Sequence, residues 1–413
     1  MRIGFFTDTY FPQVSGVATS IKTLKEELEK RGHEVYIFTT TDPEAEDFEK
    51  DIVRMPSVPF VSFKDRRIVV RGMWFAYKIA KELQLELIHT HTEFGAGVLG
   101  KMVGRRLEIP VIHTYHTMYE DYLHYIANGK VVRPTHVKHF IRFFVNHSTG
   151  VVCPSERVVK TMRRYGVEIP MRVIPTGIDI SQFNRPDITE RMVQDLRSDL
   201  GICSNQLMIL SLSRLSYEKN IQTIVEQFSE VLQCHPEARL VVVGKGPFRE
   251  GLEELVEQLE LKDVVRFTGE IPHEKVPIYY RAADYFVSAS SSETQGLTYA
   301  EAIASGVQCV VKGNDYLYAL LDDERLGATF ESDQEFSKTL LSYIDQDYKM
   351  TEELKSRKLD EISAERFGAD MEEFYLKMHA YYQDNPVKRP ISQRRPVERV
   401  RVKIASLKKL EDK

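Results

Sequence analysis

Residues 285–301 read YFVSASSSETQGLTYAE, and this stretch contains the structural unit that recurs along the chain. It begins with a short run typical of a buried strand, continues through serines, and reaches Gly296, after which helix-forming residues extend to about Ser305. A strand, a loop and a helix in this order are the building block of a parallel sheet covered by helices. Because ligands bind beyond the carboxyl ends of such strands, the loop at 290–296 is a candidate site.

The same alternation occurs in two sets along the chain. Further strand-like runs lie at 3–6, 34–39, 87–89, 111–113, 150–153 and 172–174, and the pattern restarts at 208–211, 240–243, 264–268, 285–288 and 307–311. Turn-forming residues at 175–187 separate the sets. We therefore predict an α/β protein with two doubly wound, Rossmann-like domains, at 1–178 and 179–365, that face a central cleft. A terminal helix at 366–386 is expected to cross back to the first domain, ahead of a basic tail at 387–413.

The composition of the chain is that of a soluble globular protein. Of 413 residues, 42% are hydrophobic and 28% charged, and no apolar run approaches the length needed to span a bilayer. The chain begins directly with a strand-like run, so no signal peptide is expected. The four cysteines are scattered without Cys-x-x-Cys spacing, which fits a reducing compartment and argues against a cysteine-based zinc site. The net charge of −5 gives no nucleic-acid signature.

The charge is unevenly distributed. Residues 388–413 contain ten Lys or Arg and three acids, so this tail carries +7 and the rest of the chain −12. A cationic end on an acidic body favours a polyanionic surface as a partner. The alternative is a solvated, partly disordered tail.

Two carboxylates flank the predicted helix start after residues 285–288. Glu293 lies in the loop and Glu301 lies a turn or more into the helix, with seven residues between them. Free backbone N–H groups at Gln295–Thr298 would attract phosphate, and adjacent carboxylates suit hydroxyl-rich groups, Glu301 a ribose and Glu293 a sugar. The alternative is that both are solvated acids favoured by the helix dipole.

Two further elements follow strands of the second set. Arg214 and Lys219 lie just before a predicted helix, where two cations can neutralise a departing diphosphate; the alternative is an exposed charged loop. Gly244-Lys245-Gly246-Pro247 follows a valine-rich strand. It matches half of a dinucleotide glycine loop, but Gly251 comes too late for the full motif, which disfavours a nicotinamide oxidoreductase.

Taken in order, these motifs resemble the retaining family-4 glycosyltransferases, which have the two-domain GT-B fold. The first half agrees, because residues 10–17 (YFPQVSGV) resemble the first loop of that family and residues 175–179 (PTGID) its interdomain signature. The resemblance covers about residues 1–385. It departs at Ser15, where the family has glycine, at Gln308, where it has proline, and at 316–327. Because Ser15 has a side chain where the family has glycine, we expect phosphate to approach the first loop less freely.

The resemblance implies roles for individual residues. Arg214 and Lys219 would hold the donor diphosphate, and Glu301 would bind the ribose. Glu293 would contact the transferred sugar, and the other expected contacts are His116 near the anomeric centre and the backbone at Gly16, Gly244, Gln295, Gly296, Leu297 and Thr298. The resemblance also implies retention of configuration with no essential metal. The donor, UDP-glucose, would be a substrate and not a tightly bound cofactor.

Two patterns suggest metal ligands but are interpreted otherwise. Asp345-Gln346-Asp347 lies in a helical stretch and not after a strand, so we interpret it as surface. His89, His91, His113 and His116 alternate at predicted strand ends, where histidines that face a cleft are expected. Zinc is disfavoured because no supporting ligand pattern is visible.

Two features favour a lipid acceptor. Residues 130–144 mix four cations with aromatic residues and contain no acid, as in a helix that lies in an anionic membrane interface, although a packing helix with one charged face is the alternative. Residues 58–67 are a second apolar and basic candidate. The amino-acid sequence at 5–17, 116–122 and 293–298 resembles that of the bacterial diacylglycerol glucosyltransferases of the same family.

That resemblance implies transfer of glucose to the 3-hydroxyl of 1,2-diacylglycerol by a peripheral protein on the cytoplasmic face of the membrane, with Tyr119, Asp121 and Tyr122 near the acceptor path. The alternatives are an already glycosylated lipid or a soluble sugar as acceptor, or a membrane-bound sugar-nucleotide sensor without turnover.

Overall fold

The computed structural model describes residues 1–13, 15–46, 48–60, 63–69, 72–119 and 134–385. It confirms the predicted fold class, because the chain forms two parallel sheets, of seven and six strands, with helices on their faces. The basic tail at 387–413 lies outside the described residues.

The first sheet has the strand order β3-β2-β1-β6-β7-β8-β9, and all its pairings are parallel. Its strands are β1 (Arg2–Phe6), β2 (Glu34–Thr40), β3 (Ile52–Met55), β6 (Leu87–Thr90), β7 (Val111–Thr114), β8 (Gly150–Cys153) and β9 (Met171–Val173). Between β3 and β6 the chain makes a separate antiparallel hairpin of β4 (Ser57–Phe60) and β5 (Phe63–Val69). This hairpin includes most of the apolar and basic stretch at 58–67.

The second sheet has the order β12-β11-β10-β13-β14-β15. Its strands are β10 (Leu207–Leu212), β11 (Ala238–Val243), β12 (Val265–Gly269), β13 (Tyr285–Ser288), β14 (Gln308–Lys312) and β15 (Gly327–Phe330). Alternate residues enter different cores: Leu210 packs on one face of the sheet, and its neighbour Ile209 packs on the other. Strands buried on both faces explain the continuous apolar runs of the sequence.

Fourteen α-helices are described within the ranges given above, and most cover the two sheets. They are α1 (Gly16–Lys30), α2 (Met73–Glu82), α3 (Gly95–Leu107), α4 (Pro134–Asn146), α5 (Glu156–Tyr165), α6 (Glu190–Asp199), α7 (Ile221–Cys234), α8 (Arg249–Gln258), α9 (Val276–Ala282), α10 (Leu297–Ala304), α11 (Asp315–Leu320), α12 (Phe336–Gln346), α13 (Glu352–Glu361) and α14 (Ala364–Asp384).

The last helix, α14, follows the second domain in the chain but packs on the first. It contacts α1, and Phe374 and Met378 lie over Gly150 of β8. Ser363 caps its N-terminus by accepting a hydrogen bond from the Arg366 N–H at 3.0 Å. The helix therefore ties the end of the second domain to the core of the first.

Four strands were absent from the sequence prediction: the two strands of the hairpin, β4 and β5, and one strand of each main sheet. β3 and β15 are the outermost strands of their sheets, and each has four residues, at least half of them only partly buried. A short edge strand needs no continuous apolar run, so hydrophobic patterning does not reveal it.

Candidate active site

The two domains meet at the carboxyl ends of their central strands. The loop between β13 and α10, residues 290–296, touches the segments that follow β7 and β8 of the first domain. Sequence analysis placed a site in this loop because it follows a parallel strand. The structure shows in addition that the loop forms part of the contact between the domains.

Gln295 fixes this loop to the interdomain linker. Its side-chain oxygen accepts from the Thr176 N–H at 2.7 Å, and its side-chain nitrogen donates to the Thr176 carbonyl at 2.8 Å. The side chain is 4% exposed and pairs with the linker as a neighbouring strand would. Gly296 follows with φ +85°, and α10 begins at Leu297. The Gln295 side chain thus holds the start of α10 in place. The backbone N–H groups expected to contact phosphate, at Gln295–Thr298, lie on this fixed segment.

Lys219 and Glu293 form an ion pair within the second domain, from the loops after β10 and β13. Their side chains are only 16% and 18% exposed. Arg214, five positions before Lys219, is exposed. The structure thus brings Lys219 and Glu293 into contact, with Arg214 on the same loop as Lys219. Neither Glu293 nor Lys219 is a fully solvated charge.

The glycines at Gly244 and Gly246 serve loop packing. A Cβ atom on Gly244 would lie 1.9 Å from the Ser213 carbonyl oxygen, and one on Gly246 would lie 2.1 Å from that of Leu215. The Leu215 N–H donates to the Lys245 carbonyl at 2.9 Å, which joins the two loops. The half-motif noted in the sequence is therefore required for the close approach of the β11–α8 loop to the loop that carries Arg214.

Glu301 lies on α10 and is 9% exposed. Burial raises the pKa of its carboxyl group to about 7, although a hydrogen bond donated by the Tyr280 hydroxyl at 3.0 Å opposes that shift. The alternative that Glu301 is a solvated surface acid is wrong. Its carboxyl group is poised to change charge near neutral pH.

Gly16 is the first residue of α1, at the carboxyl end of β1. Ser15, the residue that departs from the family pattern, caps the helix by accepting from the Ala18 N–H at 3.2 Å. Apart from its chain neighbours and the backbone of its own helix, no described residue has an atom within 4 Å of the position where a Cβ atom of Gly16 would be. The space beside Gly16 is therefore open to a ligand.

The four histidines are not equivalent. His89 and His113 are fully buried, so the expectation that all four face the cleft is wrong for these two. His89 lies between Tyr375 of α14 and Thr114, and His113 contacts Thr90 and Glu93. These partners occupy their ring nitrogens and give them structural roles.

His91 and His116 form a pair, with Nδ1 of His91 at 3.1 Å from Nε2 of His116. Burial lowers the pKa of both rings, that of His116 to about 3, so both are neutral at neutral pH. Nε2 of His91 is buried and has no hydrogen-bond partner among the described residues. The arrangement that leaves no buried N–H unpaired has His91 donating from Nδ1, which places the ring proton of His116 on its own Nδ1.

No group of three or more His, Cys, Asp or Glu side chains within the described ranges has the geometry to hold a metal ion. The side chains of Asp345 and Asp347 are 71% and 73% exposed, in keeping with the interpretation as surface. Tyr119, expected near the acceptor path, has its hydroxyl bonded to Glu93. Asp121 and Tyr122 lie outside the described residues.

Sequence reasoning missed several residues at this site. Ser155 and Arg157 at the start of α5 donate to carbonyl groups of the β13–α10 loop, and Thr294 donates back to the first domain. Tyr280, the partner of Glu301, was also missed. The partners in each of these bonds lie far apart in the chain, so no local pattern could have revealed them.

Comparison with known proteins places this geometry in a family. The model "Glycosyltransferase Family 4" matches residues 14–182, and "Glycosyl transferases group 1" matches residues 192–359. The chain is 52% identical over 377 residues to an α-monoglucosyldiacylglycerol synthase of Streptococcus pneumoniae, which covers 91% of this chain and 86% of that protein. It is 34% identical over 350 residues to an α-monoglucosyldiacylglycerol synthase of Acholeplasma laidlawii, covering 83% and 87%.

Solved structures agree on the fold. The Anabaena protein HepE in complex with UDP-glucose superposes with a TM-score of 0.71 at 18% identity, covering 91% of this chain and all of that one. A sucrose-phosphate synthase of Thermosynechococcus elongatus superposes with a TM-score of 0.71 at 21% identity, covering 92% and 99%. With both family models matched in order and two paired Rossmann-like domains, the chain belongs to the family-4 glycosyltransferases and has the GT-B fold.

Proposed function

We propose that this protein is a retaining glucosyltransferase that moves glucose from UDP-glucose to the 3-hydroxyl of 1,2-diacylglycerol at a membrane surface, giving α-monoglucosyldiacylglycerol. The observation that carries the proposal is the 52% identity over 91% of the chain to the Streptococcus pneumoniae enzyme of that name. The second domain supports the proposal, because the groups expected to hold a sugar nucleotide lie together at the carboxyl ends of its strands.

The second domain holds the donor in this proposal. Arg214, Lys219 and the backbone N–H groups at the start of α10 stabilise the negative charge that develops on the departing diphosphate. Glu301 accepts from the ribose hydroxyls, and Glu293 contacts the glucose. No metal ion is required, because cations of the protein supply the positive charge.

The transfer itself takes place on one face of the sugar. The bond between the anomeric carbon and the diphosphate oxygen breaks, and a bond from that carbon to the acceptor oxygen forms on the same face. The acceptor proton passes to the departing diphosphate, so the charges balance without a covalent enzyme intermediate. His116, neutral at working pH, offers its Nδ1 proton as a hydrogen bond to the sugar.

Exposed side chains of the first domain favour an anionic lipid surface as the location of the acceptor. Helix α3 lies beside α2, and Lys101 of α3 stacks on the ring of Phe144 of α4 at 4.0 Å. The three helices carry exposed apolar side chains, which are 40–68% exposed: Trp74, Phe75, Val98, Met102, Phe140 and Phe143. We propose that they form one apolar outer face, the docking face. Arg105, Arg106 and Arg142 are exposed on the same helices, and neither α3 nor α4 contains an acid.

An apolar face edged by cations is complementary to anionic headgroups above acyl chains. Part of α4 was predicted from the sequence as a membrane-facing helix, but Val137, Ile141 and Phe144 of the basic-aromatic stretch pack inward. The helix therefore has one face in the protein core and one face that is available for docking. The preceding residues, 130–133, lie outside the described part of the chain. Among the described residues, no helix combines the length and the hydrophobicity that a membrane span requires. We propose a peripheral attachment to the cytoplasmic face of the membrane, to which the basic tail contributes.

The activity is tested by incubating the protein with UDP-glucose or UDP-galactose and diacylglycerol in anionic vesicles, with products identified by mass spectrometry. We expect a monoglucosyl lipid from UDP-glucose. Parallel reactions with a glycosylated lipid and with soluble sugars test the alternative acceptors. Product from those acceptors alone contradicts the diacylglycerol proposal, and donor binding without any product supports the sensor alternative.

Tryptophan fluorescence reports on the docking face, because Trp74 is the only tryptophan of the chain. We expect its fluorescence to shift to the blue and to be quenched by brominated lipid when anionic vesicles are added. Phe143→Glu should weaken vesicle binding, whereas Leu376→Glu, at a 56% exposed position on α14, serves as the control. Unchanged Trp74 emission in the presence of bound vesicles would place the contact elsewhere.

A further inference from the structure

A hydroxyl group links the two halves of the site. Thr294, the residue after Glu293, donates a hydrogen bond from Oγ1 to the main-chain carbonyl of His116 at 3.0 Å. Glu293 belongs to the second domain and His116 to the first, so this bond spans the cleft. Because it uses the carbonyl of His116, the imidazole remains available to His91 and to a substrate.

The bond is part of a larger contact that uses main-chain carbonyl groups. The Ser155 hydroxyl donates to the Thr294 carbonyl at 2.6 Å, and the Arg157 guanidinium donates to the carbonyls of Ser291 and Glu293 at 3.0 and 2.9 Å. All of these partners are polar groups that water can also satisfy. The contact can therefore form and separate reversibly with domain motion.

We propose that Thr294 is a positioning residue: its hydroxyl fixes the main chain of His116 to the loop that carries Glu293 and so sets the distance between the two when the domains close. This inference rests on the proposed function of His116 and Glu293. It concerns a residue that touches neither substrate in that proposal. Thr294 keeps His116 and Glu293 at a fixed relative position. A small displacement of groups that act on the reacting sugar lowers the reaction rate strongly.

The placement of Thr294 separates its effect on turnover from an effect on donor binding. Arg214, Lys219 and α10 all lie in the second domain, and the one donor contact expected in the first domain, Gly16, lies on α1 and not on the segment that Thr294 holds. Nucleotide binding therefore does not require the bond to His116. Loss of the hydroxyl should therefore lower kcat and leave the affinity for UDP unchanged. A residue that merely supported the fold of the loop would change both quantities.

The test compares Thr294→Val, which keeps the shape and removes the donor, with Thr294→Ser, which keeps the donor. We expect Thr294→Val to lower kcat by about tenfold or more, Thr294→Ser to retain at least about half of it, and the Kd for UDP of both to stay within about twofold of the parent protein. Equal loss in the two variants, full activity of Thr294→Val, or a parallel loss of UDP affinity would overturn the proposal.

A second measurement is independent of the substrate. Amide hydrogen exchange over residues 114–118 and 291–296 should be faster in Thr294→Val than in the parent chain, and close to the parent rate in Thr294→Ser. Should the parent protein form no glucolipid, the proposed function fails while this comparison still decides whether Thr294 joins the two segments. Identical exchange in all three proteins would rule out the positioning role.

Discussion

Nζ of Lys219 and Oε1 of Glu293 are paired, although the two residues are 74 positions apart in the chain. Each was expected to contact a different part of the donor, Lys219 the diphosphate and Glu293 the sugar. Their pairing holds the two side chains together at the carboxyl ends of β10 and β13. In the proposed function the donor shares the Lys219 ammonium with Glu293, which would keep the carboxylate beside the diphosphate.

Replacing either member of this pair should abolish turnover. We expect Lys219→Ala and Glu293→Ala each to lower kcat by about a hundredfold or more, and the double variant to be little worse than the poorer single one, because residues that act as a unit are not additive. Initial rates with UDP-glucose and diacylglycerol measure this, with circular dichroism as a check on folding. Rates equal to those of the parent protein in either single variant would contradict the catalytic assignment.

The ionisation of Glu301 should appear in donor binding. Its pKa is raised by burial to about 7, and the ionised form is the one that accepts from ribose hydroxyls. The affinity for UDP-glucose should therefore increase as the pH rises from 5.5 to 8.5, with a midpoint near 7, as measured by calorimetry. Glu301→Gln should bind weakly at every pH. In Tyr280→Phe the midpoint should move upward, because the Tyr280 hydroxyl lowers the pKa of Glu301; a midpoint unchanged in that variant would contradict the assignment.

The buried histidines should make stability depend on pH. Burial lowers the pKa of His89, His91 and His116 in the folded state, so below about pH 6.5 the unfolded chain binds protons that the folded chain does not. The free energy of unfolding should be fully retained above that pH and fall as the pH decreases, by up to about 1.4 kcal/mol per pH unit for each histidine. Urea unfolding between pH 7.5 and 5 measures the slope.

Two histidine variants test whether this slope has the stated origin. His116→Gln should reduce the slope, because it removes one buried ring whose protonation opposes folding. His147→Gln, at an exposed position after α4, is the matched control. Equal slopes in His116→Gln and the parent protein would show that the loss of stability has another source.

Two glycines of the site should respond differently to the same substitution. Gly244→Ala places a methyl group 1.9 Å from the Ser213 carbonyl at φ +137°, so we expect a loss of about 2 kcal/mol or more in the free energy of unfolding. Gly16→Ala finds open space at the start of α1, so the fold should be as stable as the parent. If the donor approaches Gly16, that variant should instead raise KM for UDP-glucose. Thermal unfolding and steady-state rates separate the two effects, and an equally stable Gly244→Ala would contradict the packing role.

Much of the fold was accessible from the sequence because its signals are local. An apolar run such as Tyr285–Ser288, a loop of small residues and a helix start within a few residues of one another define each unit. The positions of Glu293, Arg214 and Lys219 after such strands follow from the same pattern. The edge strands β3 and β15 and the hairpin did not follow, since their residues are only partly buried or paired outside the main sheets.

The amino-acid sequence by itself determined the two doubly wound domains, the family, and which side chains occupy the carboxyl ends of the strands, because periodicity and motif spacing are properties of neighbouring residues. Only the tertiary structure decided that Lys219 pairs with Glu293, that Gln295 binds Thr176, and that His89 is enclosed beneath α14 while His91 contacts His116. It also decided which apolar side chains of α2, α3 and α4 are exposed. Those relationships arise from burial and hydrogen bonds between segments far apart in the chain, and they exist only once the packing of distant elements has brought the partners together.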